Sequence, residues 1–504
     1  MAAVIPLPAR RAESKGLLLW MERVLKERQR VLTSPDEDAV HDLRVALRRC
    51  RSLASVFEEV DLHPSWRDLR KTSRKLFRGL GVIRDSQVLE SWVLQLGSAD
   101  DPLRGQLIYS LKSNREKLER DAKRSATRLD EKHWAKLARE LRPRLRFLPA
   151  DGPAAQCLAL ERLEESAELH RRALRTEKTK PWHALRIGIK HFRYAVENLL
   201  PRLHVSWAAD LKRLQDLLGE VHDLDVLLET VRRIGSGSPV LAKWEEIIAR
   251  ERTARIETYR QLTLGSTSLW NHWRLGLPTN GQVAPAVTAR LRATARAADP
   301  NFSKSAQAGR LAKTLCKALQ HSATAPILNE PSTESVFQAA ALLHGIRPQT
   351  TRKQAHKQAR RFLSKLPAPP GWTADDWQLL SLAIRYHRGA EPVPNRGRFA
   401  KLDAAQQGKV LLLAGILRIA RALIKVGVES SAKARVELST NSVSLSIQGL
   451  YEGRPVSEAL TAGKHLLERA LSKEIVLQGV EKRSRNLPLE FPSAKEEVLT
   501  ATAS

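Results

Sequence analysis

Between residues 12 and 145 apolar side chains return every three to four positions with few breakers inside the runs, a period that predicts long amphipathic helices. Two prolines and a glycine between 147 and 153 interrupt the pattern, which resumes near 154 and continues to about 264. Residues 266–303 hold the next cluster of Gly, Pro and Ser and are read as a linker at the main domain boundary. Helical periodicity returns over 304–485 with one clear break at 367–371. Inside that segment the runs 434–437 and 443–447 alternate and are rich in β-formers, which predicts a hairpin. Residues 486–504 are read as a flexible tail. The expected fold class is all-α, with a second helical domain that carries a small β-hairpin.

The first domain repeats itself. The run HDLRVALRRCR beginning at His41 returns as HALRIGIKHFR beginning at His183. Downstream, residues 69–89 return as 211–227, with Leu80-Gly81 before Asp85 in one copy and Leu218-Gly219 before Asp223 in the other. Each half, about 12–146 and 154–265, is read as a basic helix, a connection, and a second basic helix ending at the glycine. Two such halves predict a pseudo-symmetric bundle with a groove between them.

His41, Arg44, Arg48 and Arg51 are spaced i, i+3, i+7 and i+10, which puts them on one helix face. His183, Arg186, Lys190 and Arg193 repeat that spacing. The second helices add Lys71, Arg74, Lys75 and Arg78 in one half, and Lys212 and Arg213 in the other. Leu43, Val45 and Leu47, with Leu185, Ile187 and Ile189, supply the apolar sides. Neighbouring like charges repel by a few tenths of a kcal/mol per pair, so one basic face is ordinarily plain solvated surface. Recurrence of the same four positions, headed by histidine each time, points instead to a ligand with repeated negative charge. Arginine can grip phosphate oxygens with its two-pronged fork, and lysine adds a point charge. Asp85 and Asp223 are read as caps or ion-pair partners, and His63 and His133 as structural.

Composition narrows the partner. Lys and Arg number 85 against 55 Asp and Glu, a net charge of +30 that favours anions without saying anything about fold. No stretch nears the ~20 apolar residues of a membrane span. Residues 1–11 lack a signal-peptide core, and Cys50, Cys157 and Cys316 are too scattered for a disulfide scaffold or zinc knuckle. The reading is therefore a soluble cytoplasmic protein. Nucleic acid is disfavoured, because aromatics are 5% of the chain and Phe192 and Tyr194 fall on the core side of their helix.

At these residues the chain resembles the CHAD family, the conserved-histidine α-helical domain. The motifs are HDLRVALRRCRS with LFRGLGVIRD, then HALRIGIKHFRY with LQDLLGEVHDLDVL, and the likeness spans about 12–265. The resemblance implies two pseudo-symmetric four-helix units, a basic channel that binds inorganic polyphosphate, and no catalytic chemistry or cofactor. It carries over to His41, Arg44, Arg48, Arg51, Arg74, Lys75, His183, Arg186, Lys190, Arg193, Lys212 and Arg213. Lys190 departs from the family pattern, which has Arg there, and Arg49 and His191 are extras.

Further on, AALLHGIRPQ, LLSLAIRYHRGAEP and LLLAGILRIARAL resemble the HD-like C-terminal domain of the exopolyphosphatase/guanosine pentaphosphate phosphohydrolase family. That family's actin-like N-terminal domains have no counterpart here. An HD metal centre needs a His-Asp pair, yet His344 is followed by Gly345, leaving His321, His356, His387 and Asp403 as scattered candidates. His344 and His387 are read as structural or as secondary anion contacts alongside Arg385, Arg388 and Arg396, and the basic run 347–361 as either an extension of the anion path or a solvated helix. The leading expectation is a non-catalytic polyphosphate binder with a targeting or scaffolding role beside polyphosphate-metabolising enzymes, in the cytoplasm or at polyphosphate granules. The alternatives are an HD-type phosphohydrolase acting on polyphosphate or guanosine polyphosphates, and a nucleic-acid-binding protein.

Overall fold

The computed structural model describes residues 10–322, 325–347, 355–450 and 458–480, with side chains from residue 16 onward. The expected tail at 486–504, residues 1–9 and the stretch 348–354 of the basic run lie outside the described residues.

The first repeat begins with α1 (Arg10–Thr33) and α2 (Glu37–Glu58). Asp36 starts α2 by accepting the Ala39 N–H at 2.7 Å, which satisfies one of the donors every helix start leaves free. Leu43, Leu47, Cys50 and Ala54 turn one face of α2 into core. His63 and Pro64 then open α3 (Pro64–Gly79), and a break at Leu80 leads into α4 (Gly81–Leu96). The repeat closes with α5 (Pro102–Lys112), α6 (Arg115–Thr127) and α7 (Glu131–Leu141). Gly79 lets α3 lie hard against α6, since a Cβ there would sit 2.2 Å from the Ser125 Oγ.

The second repeat comprises α8 (Pro153–Leu174), α9 (Thr179–Leu199), α10 (Pro201–Ile234) and α11 (Leu241–Thr263). Here one expectation is corrected: the second basic helix does not end at Gly219. α10 runs unbroken through it for 34 residues. Glycine inside a helix costs only about 1 kcal/mol relative to alanine. Buried Leu214, Leu218, Val221 and Leu224 on either side hold the helix together across it. Its first-repeat counterpart is α3 plus α4, so equivalent sequence is split in one half and continuous in the other.

The stretch 266–303, read as a linker, is mostly helical, with α12 (Leu269–Leu275) and α13 (Val283–Ala298). Trp270 and Trp273 of α12 complete the first core, while Val287, Leu291, Ala295 and Ala298 of α13 enter the second. α13 packs on both α8 and the second-domain helix Pro331–Leu343. Arg290 of α13, only 1% exposed, donates to Glu161 of α8 at 2.7 Å. The two domains therefore share a helix. Its alanine-rich face, flanked by turn residues, gave too weak an apolar period to be read.

The second domain contains α14 (Phe302–His321), α15 (Pro331–Leu343), α16 (Ala355–Leu363), α17 (Ala374–Tyr386) and α18 (Ala404–Lys425). α18 is buried over nearly its whole length from Val410 to Leu423, hence its almost continuous apolar sequence. The expected hairpin forms as β1 (Ala434–Leu438) with antiparallel β2 (Ser442–Gln448), in register Arg435 to Ser446. A third strand joins it: α19 (Glu458–Leu471) crosses over and returns β3 (Glu474–Val480) parallel to β2. No described helix is long and apolar enough to cross a membrane. Cys50, Cys157 and Cys316 are buried and unbridged.

Candidate anion site

α2 and α9 pack directly on each other, because the apolar sides of both repeated motifs are buried at Leu43, Leu47, Leu185 and Ile189. Their basic sides border a groove of about 540 Å³. Arg48, Arg51 and Arg74 line it from the first repeat, and His183, Arg186 and Lys190 from the second. Six of the twelve residues expected to bind are thus brought together. Arg70 of α3, Arg162 of α8, His191 and Tyr194 line it as well and were not among those twelve. Arg70 sits one turn before Arg74 and was readable from that spacing. Arg162 stands outside the repeated motif and carried no sequence signal.

The other six lie elsewhere. Arg44 donates to the Phe77 carbonyl at 3.3 Å and stacks over the Phe77 ring at 4.3 Å. Lys75 borders a separate hollow between α3 and α6 with Thr72, Gly79 and Arg128. Lys212 is exposed and paired with Asp216 at 2.5 Å, and Arg213 is exposed beside it. His41 is exposed, 3.8 Å from Asp42. Arg193 is half-buried away from the groove.

Charge balance in the groove is one-sided. Among the described residues Glu165 is the one carboxylate in its lining; it pairs with Arg162 at 2.6 Å, and Arg162 and Arg70 also pair with Glu59 and Glu58 beyond the lining. Burial pushes the Lys190 ammonium down to about 8, and Arg186, Arg48, Arg51 and Arg44 push in the same direction. Burial likewise lowers Arg51, helped by Arg74, Arg70 and Arg78, and lowers His191, helped by Arg162. Arg48 lies 5.9 Å from the Tyr194 ring centre and Arg51 4.8 Å from that of Phe77, so aromatic faces carry part of the charge. A phosphate entering the groove would relieve the remaining repulsion.

A second hollow adjoins the groove and shares Arg48, Arg186 and Lys190 with it. Its far wall is α10, with Asp216, Glu220 and Asp223. Burial raises Asp223 to about 6 against the pull of Arg186, with Asp85 and Glu220 adding repulsion. Asp85 is raised for the same first reason. Among the described residues neither aspartate caps a helix or makes an ion pair, contrary to expectation; each lies within a helix, α4 or α10. His183 and His222 meet Nδ1 to Nδ1 at 3.3 Å, and burial drives His222 down to about 4.

In the second domain His344 and His387 are both buried, with ring centres 5.7 Å apart. Each ring bonds its own helix end, His344 to the Ala341 carbonyl at 3.0 Å and His387 to the Ile384 carbonyl at 2.6 Å. Burial lowers His344 to about 4 and His387 well below its usual range, so both are neutral at pH 7 and bring no positive charge to an anion. Arg385 stacks over Tyr386, and Arg388 is held down to about 10 by burial and by Arg347. The site of a side chain at Gly345 is taken: a Cβ there would be 1.9 Å from the Asp299 Oδ2. Asp403 caps α18 and His321 bonds the Lys317 carbonyl, so these candidate ligands do not converge. Among the described residues no group of three or more His, Cys, Asp or Glu is placed to hold a metal.

Residues 17–232 match the family model of the CHAD domain. Residues 292–468 match that of domain III of the Ppx/GppA phosphatases. Among solved structures, the chain is similar to a crystal structure of the CHAD domain from the plant Ricinus communis, with 22% identity and a TM-score of 0.37. That match covers 55% of this chain and 93% of the plant chain. No curated protein matches.

Proposed function

We propose that this chain, a CHAD domain joined to a Ppx/GppA domain III-like region, binds inorganic polyphosphate in the groove between α2 and α9 without reacting with it. One observation carries the reading: Arg48, Arg51, Arg70 and Arg74 of the first repeat and Arg162, Arg186 and Lys190 of the second converge on a groove with a single carboxylate in its lining among the described residues. A flexible chain of tetrahedral phosphates offers charge at every link and needs no base-reading or stacking surface. Arg48, Arg51, Arg74, Arg186 and Lys190 are the primary contacts, with Arg70, Arg162 and His183 at the edges. Arg385 and Arg388 offer secondary contacts on the second domain. Hydrolysis draws no support from that domain, whose paired histidines are neutral and, among the described residues, belong to no group of carboxylates and histidines that could hold a metal. The protein is then a tether that holds polyphosphate for enzymes of polyphosphate metabolism in the cytoplasm or at granules.

Titration with polyphosphate at two salt concentrations, with duplex DNA as competitor, tests the proposal. With about five or six cations engaged, affinity should fall on the order of a hundredfold between 50 and 200 mM salt. DNA at equal phosphate concentration should displace little of the ligand. Ready displacement by DNA, or no binding at low salt, would sink it.

A further inference from the structure

Lys190 occupies the position that Arg48 holds in the first repeat, four residues after the second arginine-row member Arg186 as Arg48 follows Arg44. It lines both the groove and the adjoining hollow, and it is the one lysine in either lining. No carboxylate pairs with it among the described residues. Its neighbours are Arg186 on its own helix and Arg44, Arg48 and Arg51 on α2. From α8 come Arg162 and Glu165, and from α10 Asp216, Glu220 and Asp223 across the hollow. For anion binding alone an arginine would serve as well. What a lysine adds is an amine that can lose its proton and attack carbon, which a guanidinium does not do.

We infer that Lys190 is a modification site, acylated by acyl phosphates whose phosphate end docks on Arg48, Arg51 and Arg186. The inference rests on the groove being an anion site. In the step, the unprotonated Nζ attacks the acyl carbon, the carbon–oxygen bond to phosphate breaks, and orthophosphate leaves with the electron pair. Nζ gives up one proton to solvent, an amide forms, and nothing is oxidised or reduced. The surrounding arginines favour both halves of the reaction: they hold the leaving phosphate and keep the amine short of a proton. With its ammonium held down to about 8, Lys190 has roughly a quarter of its amine free at pH 7.5, against about a thousandth for an ordinary lysine. Acylation deletes a positive charge at the centre of the groove and fills part of it, so polyphosphate affinity drops on modification.

The full chain treated with acetyl phosphate, followed in time by peptide mass spectrometry, tests this. Exposed Lys71 serves as the internal reference. A parallel series uses an acetyl N-hydroxysuccinimide ester, which carries no phosphate. At Lys190 the ratio of the acetyl phosphate rate to the ester rate should exceed that at Lys71 by about tenfold or more, reflecting phosphate docking. The Lys190 rate should also rise with pH to a plateau centred near 8. Equal ratios at the two lysines overturn the proposal, as does a Lys190 rate still climbing steeply above pH 9.5. Saturating polyphosphate should protect Lys190. Preferential acylation that polyphosphate leaves undiminished overturns the polyphosphate reading alone and leaves the modification site standing.

Discussion

Arg48→Met separates a ligand-binding role from a structural one, because the two predict opposite changes in stability. Arg48 lines both the groove and the hollow, and its charge bears on Lys190 and on Arg44. Methionine keeps the packing of the stem and deletes the charge. A charge-assisted contact to phosphate is worth about 1.5–3 kcal/mol, so the polyphosphate Kd should rise about 10- to 100-fold. In the free protein the substitution removes repulsion from two half-buried cations, about 0.5 kcal/mol each. Loss of the contact with the Tyr194 ring, 5.9 Å away, returns about 0.5 kcal/mol. The free variant should therefore be as stable as the parent, or about 0.5 kcal/mol more so. Calorimetric titration at fixed low salt gives the first number and urea unfolding the second. An unchanged Kd refutes the assignment of Arg48 to the ligand. Destabilisation beyond about 1 kcal/mol refutes the view that the cations are crowded together for the sake of an anion.

Three further outcomes follow from the same charges. Because Lys190 is held down to about 8 in the free groove and a bound phosphate raises it, binding at pH 8 should take up protons, visible as a dependence of titration heat on buffer ionisation enthalpy; no uptake would separate Lys190 from the ligand. Asp223, raised to about 6, binds more protons folded than unfolded between pH 4 and 6, so its contribution to stability is lost as pH rises through that window. Asp223→Asn should flatten that loss in urea-unfolding series and strengthen polyphosphate binding a few-fold at pH 7, leaving the opposite slope from His222 and His191, both lowered by burial; weaker binding in the variant would contradict it. Gly345→Asp, which writes the missing carboxylate back after His344, should not create a metal centre, because its Cβ would meet the Asp299 Oδ2 at 1.9 Å and the Ser305 Oγ at 2.3 Å. It should cost about 3 kcal/mol or more in unfolding measurements, and divalent-metal binding with unimpaired stability would show the site more accommodating than its packing suggests.

Periodicity exposed what each helix face is made of, and that was enough to find the repeat, the two rows and the β1–β2 hairpin. It did not convey depth. His344 and His387 sit beside arginines in the sequence and look available to an anion, yet both rings are buried and bonded to their own helix ends. β3 was missed because a parallel partner arrives only after α19, far from the turn signals that mark a hairpin. Arg162 was missed because a groove assembled from helices distant in sequence borrows a residue from any helix that borders it.

The sharpest departure from the sequence reading is that a near-repeat in sequence yields a lopsided site. With Leu80-Gly81 set against Leu218-Gly219, Lys212 corresponds to Arg74 and Asp216 to Arg78. Arg74 lines the groove, whereas Lys212 turns to Asp216 at 2.5 Å and is spent on the surface. One exchange of arginine for aspartate, one helical turn away, thus supplies an internal partner and removes a cation from the ligand's path. The same exchange helps make the carboxylate wall of the hollow, which Asp216 shares with Glu220 and Asp223. The first repeat, with α3 broken off from α4 at Leu80, brings Arg70 and Arg74 to the groove, Arg70 paired with Glu58 at 2.7 Å and Arg74 in no ion pair among the described residues. Evenly matched halves would surround a polyanion with equal charge on all sides. These halves set a basic wall on the α3 side against a carboxylate wall on the α10 side, so a phosphate chain bound as proposed would lie along α2 and α9 and keep clear of α10.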